Sequence, residues 1–372
     1  PEIIKEALAK THTARNYILD EIMLPVISEP RKELSKYAPK MLTMAINPEK
    51  IGDVIGKQGK VIQKLQELIV GSYGFCILFD DQPGSVYAIR RVSPLVASYT
   101  HAGAIIASDL TALIPYSNQY FVVPEDKIVR LTPYKVHVYN MDENFSKVYP
   151  EIMTVNWNMD AAMKNGYPHF MMKEIHEQPK AVQDTLNSVL KDGAIDLSSV
   201  GLTEEELQSF SQIYIVACGS AYHVGVACQY VLEDLAKIPV RVELASEFRY
   251  RDPLVPENTL VVIISQSGET ADSLAALRKA KEQGAKTLAI VNVVGSTIAR
   301  EADYVFYTLA GPEIAVATTK AYSAQLLAVY ALAIAFAQGR GQLTDDQAAA
   351  LVRELESLPG KMERLLEDEE RI

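Results

Sequence analysis

Residues 213–225 read IYIVACGSAYHVG and residues 260–272 read LVVIISQSGETAD, and these two stretches decide the fold. Each opens with a short, unbroken apolar run rich in branched residues, as a strand covered on both faces requires. Each then passes through small and hydroxyl-bearing residues into helical spacing. Cys218-Gly219-Ser220-Ala221 leads to a helix over Tyr222–Ala236, and Ser265-Gln266-Ser267-Gly268-Glu269-Thr270 leads to a second helix. Further strands are predicted at Val240–Leu244, Leu288–Asn292 and Tyr304–Tyr307, with a long closing helix over Ala321–Gln338. Apolar strands alternating with helices specify an α/β fold with a parallel sheet and helices on both faces.

The two loops also carry the chemistry. A strand–loop–helix junction aims backbone N–H groups and hydroxyls at one point, and helix N-termini favour anions, so a phosphate can sit there without a lysine. Serines and threonines at such junctions also serve as plain helix caps. Two loops at the ends of one sheet, with Thr318 and Thr319 nearby, favour the anion site over capping alone.

Outward from this core the texture changes. Phe75–Phe79 and Val86–Ile89 flank an Asp-Asp-Gln-Pro-Gly turn and read as a hairpin, with strands expected at 104–107, 120–123, 128–131 and 135–139. Residues 141–210 are mixed and expected to be mostly helical. Residues 1–23 have helical spacing, and Pro25 and Pro30 end it. An acidic helical tail is expected from Thr344 onward.

Composition narrows the function classes. Hydrophobic residues at 48% and charged residues at 22% exclude a disordered chain. The longest apolar run, Leu326 to Ala337, is twelve residues, shorter than the about 20 needed to span lipid, so it reads as a buried helix with no membrane partner. Three cysteines, Cys76, Cys218 and Cys228, are too few for a disulfide framework and lack metal-ligand spacing. They point to a reducing, cytoplasmic compartment, and neither metal nor organic cofactor is expected. The net charge of −11 is uneven: residues 1–70 hold 11 Lys and Arg against 9 Asp and Glu, or +2, and the rest is −13. An acidic body disfavours general nucleic-acid binding.

The strings themselves bear a resemblance. Residues 213–225, 243–251 (ELASEFRYR), 264–272, 291–297 (VNVVGST) and 313–322 (EIAVATTKAY) are similar to the first sugar-isomerase (SIS) domain of the glutamine–fructose-6-phosphate aminotransferase (isomerizing) family. Residues 169–179 (HFMMKEIHEQP) resemble its interdomain linker, and GSYGFCILF, RRVSPLV and IIASDLTAL resemble the close of its glutaminase domain. The resemblance covers about 300 residues and implies a flavodoxin-like domain in an enzyme that makes glucosamine 6-phosphate from fructose 6-phosphate and glutamine. It assigns Ser265, Gln266, Ser267 and Thr270 to the phosphate, and Cys218, Gly219, Ser220, Val316 and Thr318 to the sugar. Ala221 stands where the family often has Ser, and Thr318 likewise, the latter keeping a hydroxyl. A homodimer through the SIS domain is a further implication.

Residues 1 to about 68 resemble polynucleotide phosphorylase instead: YAPKMLTMAINPEKIGDVIGKQGKVIQK is like that family's entry into a KH domain. Gly56-Lys57-Gln58-Gly59 is its GxxG loop, which implies weak contact with single-stranded RNA. The chain thus reads as chimeric near 65–71, by gene fusion or by joining of two sequencing fragments, with the second favoured because both partners break off mid-domain. The expected organisation is helix and linker (1–40), partial KH domain (41–70), glutaminase remnant (71–150), linker (151–200), SIS domain (201–345) and helical tail (346–372).

Several family groups have no counterpart in the sequence. The glutaminase half uses an N-terminal cysteine, whereas position 1 is Pro1, and Cys76 is expected in a strand core. The isomerase acid–base groups belong to a second SIS domain expected beyond Ile372. Lys320, Glu313 and His223 read as structural, so no catalytic residue is assigned and the chain is expected to be inactive alone. The leading alternatives are a non-catalytic sugar-phosphate-binding module and an RNA-binding protein. Truncated strands at 71–140 are expected to leave exposed apolar edges.

Overall fold

A computed structural model describes residues 2–29, 68–69, 71–78, 83–100, 103–113, 115–141, 145–154 and 164–367. The chain divides into two compact units, Pro1–Ile51 and Gly52–Ile372. The first contains α1 (Glu2–Tyr17), continued by a turn of π-helix at Ile18–Met23, in accord with the helical spacing of that stretch. The KH-like stretch, its GxxG loop at 56–59 and most of the 65–71 junction lie outside the described residues.

The second unit begins with a β-rich part. One sheet has the order β1 (Tyr73–Leu78), β2 (Val86–Arg91), β6 (Lys127–Leu131), β7 (Val136–Asn140) and β8 (Lys147–Val148). The other has the order β4 (Gly103–Ala107), β3 (Val96–Thr100), β5 (Gln119–Val122) and β9 (Met153–Thr154). Ala88, Val129, Leu131 and Val138 of the first sheet meet Ala97 and Phe121 of the second in one core. The expected hairpin is present, pairing Phe75 with Ile89. Cys76 is a correction: it is exposed, because β1 is an edge strand whose Phe75, Cys76 and Leu78 are exposed. The described residues of 141–210 are less helical than expected, holding β8, β9 and the hairpin β10 (Leu190–Lys191) and β11 (Ala194–Ile195) beside α2 (Phe170–His176), α3 (Gln178–Asn187) and α4 (Glu204–Ser209).

Residues from 212 onward form a five-stranded parallel sheet. Its order is β13 (Val240–Leu244), β12 (Gln212–Ala217), β14 (Thr259–Ser265), β15 (Lys286–Val291) and β16 (Tyr304–Tyr307). Counted by position in this domain the order is 2-1-3-4-5, the flavodoxin-like arrangement. Side-chain alternation divides the sheet between two cores. Ile213, Ile215 and Ala217 pack on one face with α5 (Gly219–Ala236) and α9 (Lys320–Gly339). Tyr214 and Val216 pack on the other with α6 (Ala245–Tyr250), α7 (Ala271–Glu282) and the short α8 (Thr297–Glu301). All seven residues of β14 are buried, which explains why its sequence shows no polar alternation.

Helix α9 is long and apolar enough to cross a membrane by length and composition, yet 72% of its apolar window is buried inside the protein. It packs against α5, α3, α4 and α10 (Asp345–Leu366) as the central helix of the domain. Close contact also limits α5: a Cβ at Gly225 would lie 2.8 Å from both Ile215 Cγ2 and Val242 Cγ1. Gly225→Ala is expected to cost about 1–3 kcal/mol by overpacking. Urea unfolding should show a lower midpoint at unchanged slope, and an unchanged midpoint would count against this close packing.

Candidate functional site

In a 2-1-3-4-5 sheet the strand order reverses between the first and third strands, and a crevice opens there beyond their carboxyl ends. Strands β12 and β14 flank that point. The Cys218–Ser220 and Ser265–Thr270 loops leave those two ends, so the topology brings together the loops singled out from sequence.

Hydrogen bonds fold the second loop into a cradle. Ser265, buried at the end of β14, accepts the Gly268 N–H at 3.1 Å and lies 3.0 Å from the Thr270 hydroxyl. Ser267 Oγ accepts the Glu269 N–H at 3.2 Å. The loop is tied to its neighbour by Asn292 N–H to the Gln266 carbonyl (3.1 Å) and Ile298 N–H to the Gly268 carbonyl (3.0 Å). Glu269 accepts the Thr297 N–H at 2.7 Å. Gly268 has φ +65°, and a Cβ there would lie 2.0 Å from Ser296 Oγ, so this position needs glycine twice over.

Capping alone does not account for the hydroxyls. Thr270 is the N-cap residue of α7 and Cys218 that of α5, and neither side chain makes a capping bond. Thr203 and Thr344, by contrast, each form a complete capping box at α4 and α10. The first N–H groups of α5 and α7 have no acceptor within their helices, so both helix ends present donors toward the crevice.

Beside the cradle is a cavity of about 290 Å³. Gln266, Ser267, Glu269, Thr270, Ser296 and Glu313 line it from the parallel-sheet side. Pro94, Val96, Ser108, Asp109, Leu110, Tyr120 and Val122 line it from the β-rich part. Tyr120 donates to the Val294 carbonyl at 2.9 Å, and burial pushes its phenol up to about 12, which keeps it a neutral donor. Ser296 Oγ is buried and has no hydrogen-bond partner. Sequence reading missed it, although it lies in the VNVVGST string and precedes a helix, the place where a hydroxyl is usually consumed.

The other expected residues are placed unequally. Cys218 approaches the cradle helix, with the Ser273 hydroxyl 3.9 Å from its Sγ, while Gly219 and Ser220 begin α5. Thr318 donates to Glu313 at 2.6 Å, and Val316 is wholly exposed outside the cavity lining. Glu313 also accepts N–H groups from Thr319 (2.8 Å) and Ala321 (3.2 Å), capping α9 as a structural reading of it requires. Lys320 is buried in an ion pair with Glu177 at 2.7 Å. His223 is exposed, its ring edge-on to Tyr222. Among the described residues, no group of three or more His, Cys, Asp and Glu could hold a metal ion.

Comparison with known proteins agrees with the fold. Residues 206–335 match the SIS domain family. The glutamine–fructose-6-phosphate aminotransferase of Clostridium tetani is 43% identical over 356 residues, covering 95% of this chain and 57% of the relative. That of Symbiobacterium thermophilum is 46% identical over 310 residues, covering 83% and 50% respectively. This chain therefore spans about half the length of such relatives. Among solved structures, the C-terminal domain of glucosamine-fructose-6-phosphate aminotransferase from Francisella tularensis superposes with a TM-score of 0.52 at 45% identity, covering 53% of this chain and 56% of that one.

Proposed function

We propose that this chain, whose residues 206–335 match the SIS domain family and which is 43% identical to a glutamine–fructose-6-phosphate aminotransferase, binds fructose 6-phosphate in the β12/β14 crevice. One observation supports this reading: two loops rich in small and hydroxyl-bearing residues leave adjacent strand ends at the switch point, and the N-cap residues of the helices they enter make no side-chain capping bond. The cradle would take the phosphate through Ser265, Gln266, Ser267 and Thr270. The Cys218–Ser220 loop and Thr318 would meet the sugar. By family the larger reaction is the glutamine-dependent formation of glucosamine 6-phosphate, to which this domain contributes the sugar-phosphate site.

We further infer that these 372 residues, expressed by themselves, bind without turnover. Moving the sugar's protons needs an uncommitted acid–base group at the crevice. Of the three carboxylates lining the cavity, Glu269 and Glu313 already accept backbone N–H groups at 2.7 and 2.8 Å, and Asp109 stands on the β-rich wall, outside the two strand–helix loops. Lys320 is held by Glu177.

Fructose 6-phosphate should raise the melting temperature of the purified chain saturably, since a ligand at about 100 times its Kd adds about 2.7 kcal/mol. Ser267→Ala should weaken that effect at least about tenfold, the scale of a charge-assisted hydrogen bond lost. Absence of stabilisation at any attainable concentration, or equal stabilisation of Ser267→Ala, would remove this reading. Formation of glucosamine 6-phosphate by the chain alone would remove the inference of binding without turnover.

A further inference from the structure

The loop joining β16 to α9 carries Val316 and Thr318, and its main chain is held by a residue far away in sequence. Glu174 of α2, 2% exposed, accepts two successive N–H groups of that loop, Ile314 at 2.7 Å and Ala315 at 3.0 Å, on one oxygen. Its other oxygen is buried without a partner. A carboxylate is costly to withdraw from water, and here its polar return is those two donors.

Neighbouring contacts tie the same segment to both flanks of the loop. Thr185 of α3 donates to the Thr308 carbonyl, Lys320 pairs with Glu177, and Ser323 donates to Gln178 at 2.6 Å. Glu313 fixes the far side by binding Thr318 and the first turn of α9. Helices α2 and α3 precede the residues that match the SIS family, so the domain borrows this anchor from outside itself.

We propose that Glu174 is a positioning residue for sugar recognition. It sets the main chain that carries Val316 and Thr318, whereas the Ser265–Thr270 cradle holds the phosphate independently of it. This rests on the reading of the crevice as a fructose 6-phosphate site.

The test compares two ligands on the full chain. Glu174→Ala should weaken fructose 6-phosphate binding roughly tenfold, the scale of two backbone hydrogen bonds lost, and change inorganic phosphate binding less than about twofold. Glu174→Gln keeps an acceptor oxygen and should restore most of the loss. Equal weakening of both ligands, or no weakening of either, would overturn the proposal.

Amide hydrogen exchange on the unsubstituted chain gives a readout that needs neither variant nor ligand. The Ile314 and Ala315 amides should be protected, and free exchange at both would overturn the anchor even if Glu174→Ala fails to fold. An unsubstituted chain that binds no fructose 6-phosphate would instead sink the crevice reading, leaving the exchange rates to decide the anchor.

Discussion

Gly268→Ala is expected to abolish the proposed saturable stabilisation by fructose 6-phosphate, on two independent physical grounds. The residue sits at φ +65°, a region costing an L-residue roughly 1–2 kcal/mol. The added methyl would also lie 2.0 Å from Ser296 Oγ and 2.5 Å from Ser296 Cβ. Ser296 is itself 2% exposed, so it has little room to turn aside. Relief requires the cradle to move, and the carbonyl of Gly268, which accepts the Ile298 N–H, moves with it. The predicted loss is at least about 100-fold in affinity, or some 2.7 kcal/mol. Adding Ser296→Gly should restore the steric share and leave the dihedral share lost. Ligand-dependent melting curves on the three proteins decide the matter, and undiminished binding by Gly268→Ala would refute the cradle.

Glu177→Ala should produce the largest loss of stability. Its two carboxylate oxygens pair with Lys173 at 3.2 Å and Lys320 at 2.7 Å, and both lysines are almost fully buried. Deleting the shared carboxylate takes the counter-charge from a buried ammonium, which costs about 3–5 kcal/mol. For a domain of this size that lowers the melting temperature by roughly 10 °C. Replacing Lys320 as well, as Glu177→Gln with Lys320→Met, removes one of the two buried ammoniums that share the carboxylate and should recover part of the loss, since buried ion pairs are often replaceable by neutral groups, while Lys173 stays without its Glu177 partner. A double-mutant cycle by chemical denaturation measures the coupling. A single-variant loss under about 1 kcal/mol would mean that water reaches the pair through partly exposed Glu177.

The parallel-sheet domain was legible because burial on both faces writes itself into the chain as unbroken runs such as Leu260–Ile264, and because the loops that follow are local in sequence. Strand β3 escaped notice: Ala97 and Ser98 lack the branched bulk that marks a strand, and their place is fixed by pairing with β4 and β5. The burial of Cys76 was misjudged because neighbours such as Phe75 and Leu78 look like core, while the position of β1 at the sheet edge is a tertiary fact. Ser296 and Glu174 were invisible for a related reason. Glu174 meets its partners across 140 residues of chain, and no local spacing encodes a contact of that length.

Helix α9 has a consequence for the birth of the molecule. Its twenty residues would satisfy machinery that sorts emerging chains by length and apolarity alone. The order of synthesis works against such missorting. The five strands, α3 and α5 all emerge before α9 and can close over it as it appears, with α10 packing on it afterwards. A substitution that slows the collapse of α5 onto β12 would thus lengthen the interval in which a core helix resembles a membrane anchor, and diversion of the nascent chain would precede any visible loss of sugar-phosphate binding.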